Sequence, residues 1–210
     1  LYWPWIEMYD NYNASRVWTD PCGWVAQSFA YSDSVTYPWF ANAGLQRGVP
    51  VNALRAEYQP NQGERDLMYG NENVINPYRT FAKYGLVLWG NRTAQRVASA
   101  LDRVNVRRML LYAEKIIANA TLVLSFEQND AILWQQFKNL VEPPLQFIAQ
   151  RRGIEQFEII ADETTTTPFL RNNYVMNAKI YITPTKPAEQ IVIDFALFAS
   201  GAEFVEPGSI

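Results

Sequence analysis

The side chains best placed for bond-making chemistry are the neighbouring acids Asp162 and Glu163, which follow the apolar run 154–161. Two carboxylates can cleave a glycoside when they flank one bond as acid and base, or as acid and nucleophile. Consecutive strand residues point to opposite faces, however, and acids at a strand end are usually solvated turn residues. Histidine is missing from all 210 residues, so no Ser–His–Asp or Cys–His arrangement and no imidazole metal site can be built from them. The single Cys22 allows neither an internal disulfide nor a thiolate cage. Walker A and G-x-G-x-x-G patterns are absent. No catalytic, cofactor-binding or metal-ligating residue is expected.

Aromatic chemistry offers a second reading. Trp3, Trp5, Trp18, Trp24 and Trp39 could line a platform on which sugar rings stack. Such residues more often fill cores or protein interfaces. At 14% of the chain, aromatics favour extensive buried contacts of one kind or the other.

Charge supplies a third. The net value of −3 argues against wholesale binding of nucleic acid. Between residues 91 and 115 stand six bases, Arg92, Arg96, Arg103, Arg107, Arg108 and Lys115, against Asp102 and Glu114. Beyond Gly153, eight acids face three bases. Two readings stay open: charge balance within one molecule, and complementary faces that meet between molecules, where charge sets register and partner. Arg107 and Arg108 diverge by about 100° on a helix, so at most one lies on the core-facing stripe. The other should reach a carboxylate on another element or another chain.

The elements that must hold these residues can be read from pattern. A strand is expected from Leu1 to Tyr9, a turn at Asp10–Asn13, and a short helix from Gly23 to Tyr31. An ordered loop covers Ser32 to Pro50. Asn61 should cap a helix ending near Gly70, and strands follow at Asn73–Phe81 and Gly85–Trp89. Asp102 is expected to cap a helix over Arg103–Asn119 with an apolar stripe through Val106, Met109 and Ala113. Asp130 should cap another, which Pro143-Pro144 end; a third runs from Leu145 to Arg152 and stops at Gly153. The period then changes to two, predicting strands at Ile154–Ala161, Asn173–Thr183 and Gln190–Ala199. The whole reads as an α+β fold, with helices on one face of a mostly antiparallel sheet. The sequons at Asn13, Asn91 and Asn119 are read as chance, because no stretch resembles a signal peptide. No apolar run approaches the length of a membrane span. A chain beginning at Leu1 inside a strand is expected to be part of something longer.

Several landmarks, in order, resemble the phage tail sheath family. They are Gly85-Leu-Val-Leu-Trp-Gly-Asn-Arg-Thr93, Val104-Asn-Val-Arg-Arg-Met109, Phe126-Glu-Gln-Asn-Asp130 with Trp134, and Lys186-Pro-Ala-Glu-Gln-Ile191. Upstream, Tyr2-Trp-Pro-Trp5 and Asp20-Pro-Cys-Gly-Trp-Val-Ala26 fit the family's Tyr-Pro-Trp strand and its Pro-Pro-Ser-Gly-His-Val-Ala element. Cys22 and Trp24 depart from that second element, and Ala161-Asp162 from the family's Cys-Asp pair. The resemblance implies a structural, non-enzymatic subunit of the virion tail, assembled in the host cytoplasm. It would polymerise as hexameric rings around the tail tube and contract to drive that tube through the cell envelope. Implied partners are identical subunits, the tail tube protein, and the baseplate and tail terminator proteins, with no nucleic acid and no membrane insertion.

Residues 1–84 would close an α/β subtilisin-like domain, and residues 85–210 would form the sheath C-terminal domain. That domain is expected to meet the tube or neighbouring subunits through Arg92, Arg96, Arg103, Arg107, Arg108 and Lys115. It would pair strands between subunits through Ile191, Ile193, Phe195 and Leu197. A sheath from a related non-phage injection device is the alternative, followed by a carbohydrate-binding or glycan-hydrolase fragment.

Overall fold

The computed structural model describes residues 1–70, 72–189 and 191–193. Its N-terminal part holds β1 (Tyr2–Trp3), β2 (Ile6–Asp10), β3 (Ser15–Thr19), α1 (Cys22–Val35), β4 (Ala53–Ala56), α2 (Gln62–Tyr69), β5 (Asn76–Phe81) and β6 (Gly85–Leu88). These strands form two three-stranded sheets, ordered β1-β5-β6 and β3-β2-β4, with β1 parallel to β5 and the other pairs antiparallel. Ile6, Ala56, Tyr78, Leu86 and Leu88 from both sheets meet Trp24 and Val25 of α1 in one buried cluster.

The single strand expected over Leu1–Tyr9 is therefore two strands in different sheets, with a cis Trp3–Pro4 bond between them. The turn at Asp10–Asn13 is present. Asp10 accepts the Tyr12 N–H at 2.9 Å and the Asn13 side-chain amide at 2.6 Å, and the turn returns the chain into β3. Helix α1 runs longer than expected.

The second part comprises α3 (Val104–Thr121), α4 (Ala131–Gln150), β7 (Ile154–Ile160), α5 (Pro168–Asn172) and β8 (Lys179–Pro184), with one 3-10 turn at Leu122–Leu124. β7 and β8 form a two-stranded antiparallel sheet. Phe157 opposes Ile182 and Ile159 opposes Ile180, and these four pack against the cluster built from α3 and α4. The core there is Val106, Met109, Ala113, Val141, Leu145, Ile148 and Ile154, closed by Trp39 from the loop after α1. The fold is thus mixed α and β, made of small sheets and helices. It contains no single large sheet among the described residues.

Three local expectations need correction. Pro143 and Pro144 do not end α4, which continues through them. Val141, Leu145 and Ile148 are buried on either side of the prolines, while Pro143 and Asn139 lie exposed. The prolines offer no N–H to the Asn139 and Leu140 carbonyls, and apolar burial on both sides holds the helix together. Asp102 does not cap α3. The residue before the helix is Arg103, and the first helical N–H, that of Val104, donates to the Asn91 carbonyl at 2.9 Å. Asp130, by contrast, accepts from the Ile132 and Leu133 N–H groups as expected. Finally, the strand expected from Asn173 begins only at Lys179, because Thr167 caps the short α5 over Pro168–Asn172. The strand expected at Gln190–Ala199 lies mostly outside the described residues, and Ile191–Ile193 adopt no regular structure.

Candidate assembly surface

The six bases of residues 91–115 divide into two groups. Arg92 is buried, and its Nη1 donates to the Tyr69 carbonyl at 2.7 Å while the guanidinium lies 5.7 Å from the Tyr69 ring. Arg103 forks onto Glu189, with Nε 2.7 Å from Oε1 and Nη2 3.0 Å from Oε2. Burial works against the Arg103 charge, but the Glu189 carboxylate outweighs it and holds the guanidinium above its ordinary value. Arg108 reaches Asp33 of α1 through Nη2, at 2.7 and 2.6 Å to the two oxygens, and sits 4.5 Å from the Phe29 ring. These three make contacts within the chain's own fold. Arg96, Arg107 and Lys115 are exposed. Arg107 and Arg108 do diverge, but it is the half-buried Arg108 that reaches a carboxylate on another element, while the exposed Arg107 lines a shallow pocket of about 220 Å³ with Thr93, Gln95 and Leu101.

Buried amides position this basic stretch. Asn91 donates to Asn105 at 2.8 Å, and Asn105 donates to the Trp39 carbonyl at 3.2 Å. Asn76 bonds the backbone of Arg92 through both ends of its amide. Burial of Asn91 closes its sequon to modification in the folded chain.

Asp162 and Glu163 engage different partners. The Asp162 carboxylate accepts the Thr164 hydroxyl at 2.5 Å and the Thr164 and Thr165 N–H groups at 2.9 and 3.2 Å. The Thr164 hydroxyl above all holds its pKa below the usual carboxylate value. Glu163 is exposed, 4.0 Å from Arg171. The tryptophans form no common platform either. Trp24 and Trp39 are buried in different cores, leaving Trp5 and Trp18 exposed at the N-terminal sheets. The Trp39 indole donates to the Arg151 carbonyl at the end of α4 at 2.8 Å, and its ring stacks on Tyr37 at 4.7 Å.

Sequence reasoning missed an apolar rim where α3 gives way to α4. Phe126 is fully exposed with φ +74°, and Leu122, Val123, Ile132 and Tyr174 are exposed beside it. Phe126, Leu133, Phe137, Tyr174 and Met176 line a groove of about 280 Å³ there. The strand-pairing residues are split as well. Ile191 and Ile193 are 81% and 66% exposed, whereas Phe195 and Leu197 lie outside the described residues. Among the described residues, β7 and β8 gain no third strand. No helix there is long and apolar enough to cross a membrane, and no cluster of metal-ligating side chains occurs there.

No protein-family model matches the chain. Tail sheath proteins do: that of Vibrio phage KVP40 is 35% identical over 200 residues, and that of Enterobacteria phage T4 is 32% identical over 200 residues. The tail sheath protein of Salmonella phage ViI is 31% identical over 202 residues. These matches cover 94 to 96% of this chain but only 29 to 32% of the relatives, so the chain spans about three tenths of their length. Among solved structures, the fold superposes on a chain of the contracted sheath complex of the PVC extracellular contractile injection system, with TM-score 0.82 and 22% identity. That match covers 93% of this chain and 55% of the other. A chain of the anti-feeding prophage helical sheath in its contracted state gives TM-score 0.79 and 23% identity, covering 93% and 54%. Over nearly its whole length the chain is thus similar to one segment of those longer phage tail sheath proteins.

Proposed function

We propose that the chain is the assembly-bearing, C-terminal part of a contractile tail sheath subunit. In this reading it has no catalytic role, polymerises around a tail tube in hexameric rings, and contracts to drive the tube through a cell envelope. The observation that carries the proposal is the relation to phage tail sheath proteins across 94% of the chain. Residues 1–84 are taken as the close of an α/β subtilisin-like domain and residues 85–210 as the C-terminal domain. β6 opens the second of these ranges, yet its Leu86 and Leu88 fill the first core.

The geometry supports a mode of joining. A two-stranded sheet has outer edges whose backbone groups can accept another strand, and a third strand adds stability. Seven residues beyond the end of β8 begin the exposed Ile191, Val192 and Ile193. We read these residues, with Phe195 and Leu197, as a strand lent to a neighbouring subunit. Main-chain hydrogen bonds of this kind can persist while subunit bodies rotate. Arg96, Arg107 and Lys115 are the charges left to face the tube or a neighbour. Other partners in this reading are the baseplate and tail terminator proteins. The expected location is the virion tail, after assembly in the host cytoplasm.

Removing residues 190–210 from the full-length subunit should leave soluble, folded monomers that form no tubes or rings by electron microscopy. Normal tubes from the truncated subunit would refute the strand-lending role.

A further inference from the structure

We infer that Glu189 is a positioning residue: it pins the chain to the body immediately before the apolar run Ile191–Ile193, so that a lent strand departs from one fixed point. The inference rests on the strand-lending reading above. Glu189 Oε1 accepts from Arg103 Nε at 2.7 Å and from the Tyr69 hydroxyl at 3.0 Å, and Oε2 accepts from Arg103 Nη2 at 3.0 Å. Tyr69 is the last residue of α2 and Arg103 directly precedes α3, so two distant elements converge on one carboxylate. Each donor is itself oriented. The Tyr69 oxygen accepts the Asn91 N–H at 3.2 Å, and Arg103 Nη1 lies 3.0 Å from Asp102 Oδ2.

This arrangement differs from an ordinary surface ion pair. The side chains of Arg103 and Glu189 are only 25% and 28% exposed, and a forked guanidinium–carboxylate contact fixes direction as well as distance. Behind the clamp, the link from β8 is short: Thr185 N–H donates to the Gly153 carbonyl at 3.2 Å, and Pro184 and Pro187 restrict the backbone. Ahead of it, Ile191 and Val192 are 81% and 83% exposed. The segment is thus held at its root and open beyond. A strand that must pair with another chain loses conformational freedom on pairing, and a fixed root removes part of that loss beforehand. A free root would let the same residues sweep a larger volume and lower their effective concentration at the acceptor edge.

The test compares wild-type full-length subunit with Glu189→Ala, Glu189→Gln and Arg103→Lys variants, and with a subunit lacking residues 190–210. Three readouts are needed: thermal unfolding, hydrogen exchange across residues 185–193, and polymer yield by electron microscopy. Glu189→Ala should leave the unfolding midpoint close to wild type, speed exchange at 185–193, and reduce polymer yield roughly tenfold. Arg103→Lys, which keeps the charge but loses the fork, should fall between the two. Glu189→Gln keeps the shape of the group, so it tests the charge even if the alanine variant folds poorly. Wild-type polymer yield in both Glu189 variants, with the truncated subunit unable to assemble, would overturn the clamp and leave strand lending intact. Normal assembly of the truncated subunit would overturn strand lending itself, and the clamp's role with it.

Discussion

The side chain of Asn76 pairs with the backbone of Arg92 as a strand would, accepting its N–H at 2.7 Å and donating to its carbonyl at 2.8 Å. Asn76 is wholly buried and also donates to the Leu1 carbonyl at 3.0 Å, so one amide joins three segments of chain. Gly90 completes the site, because a Cβ there would lie 2.7 Å from the Asn76 oxygen. Asn76→Ala would strand the Arg92 N–H and leave two carbonyls poorer by a bond, at about 1–3 kcal/mol for each group left unsatisfied. Asn76→Asp should be worse, since it loses the donor and brings a carboxylate against two carbonyl oxygens. Urea unfolding of the three proteins should rank them wild type, Ala, Asp.

Gly153 tests the second core. A Cβ at this position would come within 2.5 Å of Ile148 Cγ2 and 3.0 Å of the Trp39 ring. Both neighbours are buried and the Trp39 indole is tied to Arg151, so neither yields easily. Gly153→Ala should cost about 1–3 kcal/mol through overpacking. The loss should appear as a lower unfolding midpoint and as weaker burial of Trp39 by fluorescence.

Much of this fold was written in local pattern, and the failures have physical causes. Val106, Met109 and Ala113 gave α3 its buried stripe, and the Asp130 cap was readable because a carboxylate beside free N–H groups is a local device. The β4 segment Ala-Leu-Arg-Ala favours helix by composition and becomes a strand only by pairing with β2. Asp102 looked like a cap because nothing local says that the Asn91 carbonyl will serve α3 instead. The basic stretch was visible as charge, but its division depended on Asp33 and Glu189, which lie 75 and 86 residues from Arg108 and Arg103. Contacts of that range leave no periodicity to read.

Acid should loosen the turns before the cores. The Thr164 hydroxyl chiefly lowers the pKa of Asp162, the Asn13 amide that of Asp10, and Cys22 that of Asp20. A group whose folded value lies below its unfolded value stabilises the fold above the unfolded value, about 3.9 for Asp. That stabilisation is lost as pH falls through the folded value. Stability should therefore hold near neutrality and decline below about pH 4. In Asp162→Ala the acid decline should be shallower than in wild type. Parallel pH profiles for the two proteins would contradict the assignment.

Pro143 offers the opposite test, a substitution that should stabilise. It is exposed inside α4, where it withholds an N–H from the Asn139 carbonyl. Pro143→Ala restores that bond and a residue of high helix propensity, offset by greater freedom of the unfolded chain. A gain on the order of 1 kcal/mol is expected, read as a higher thermal midpoint. A lower midpoint would mean that the proline ring contributes packing beyond its backbone effect.

The division of the basic stretch predicts that charge reversals within it will not behave alike. Arg107→Glu, or the triple reversal of Arg96, Arg107 and Lys115, touches exposed side chains with no carboxylate partner within the described residues. Such changes should leave subunit stability within about 0.5 kcal/mol of wild type. If these charges meet the tube or a neighbour, assembly should fall, and its dependence on salt should change, because exposed charges act through a screened field. Arg108→Glu should act on the fold instead. It breaks the contact with Asp33, places two acids together and removes the cation from the Phe29 ring, at about 1–3 kcal/mol. A reversal of Arg107 that unfolds the monomer, or one of Arg108 that spares its stability while blocking polymerisation, would invert this assignment. If Arg107 meets the tube or a neighbour, the two adjacent arginines would separate assembly from folding within one turn of helix, and the ratio of polymer yield to monomer stability in each variant measures that separation.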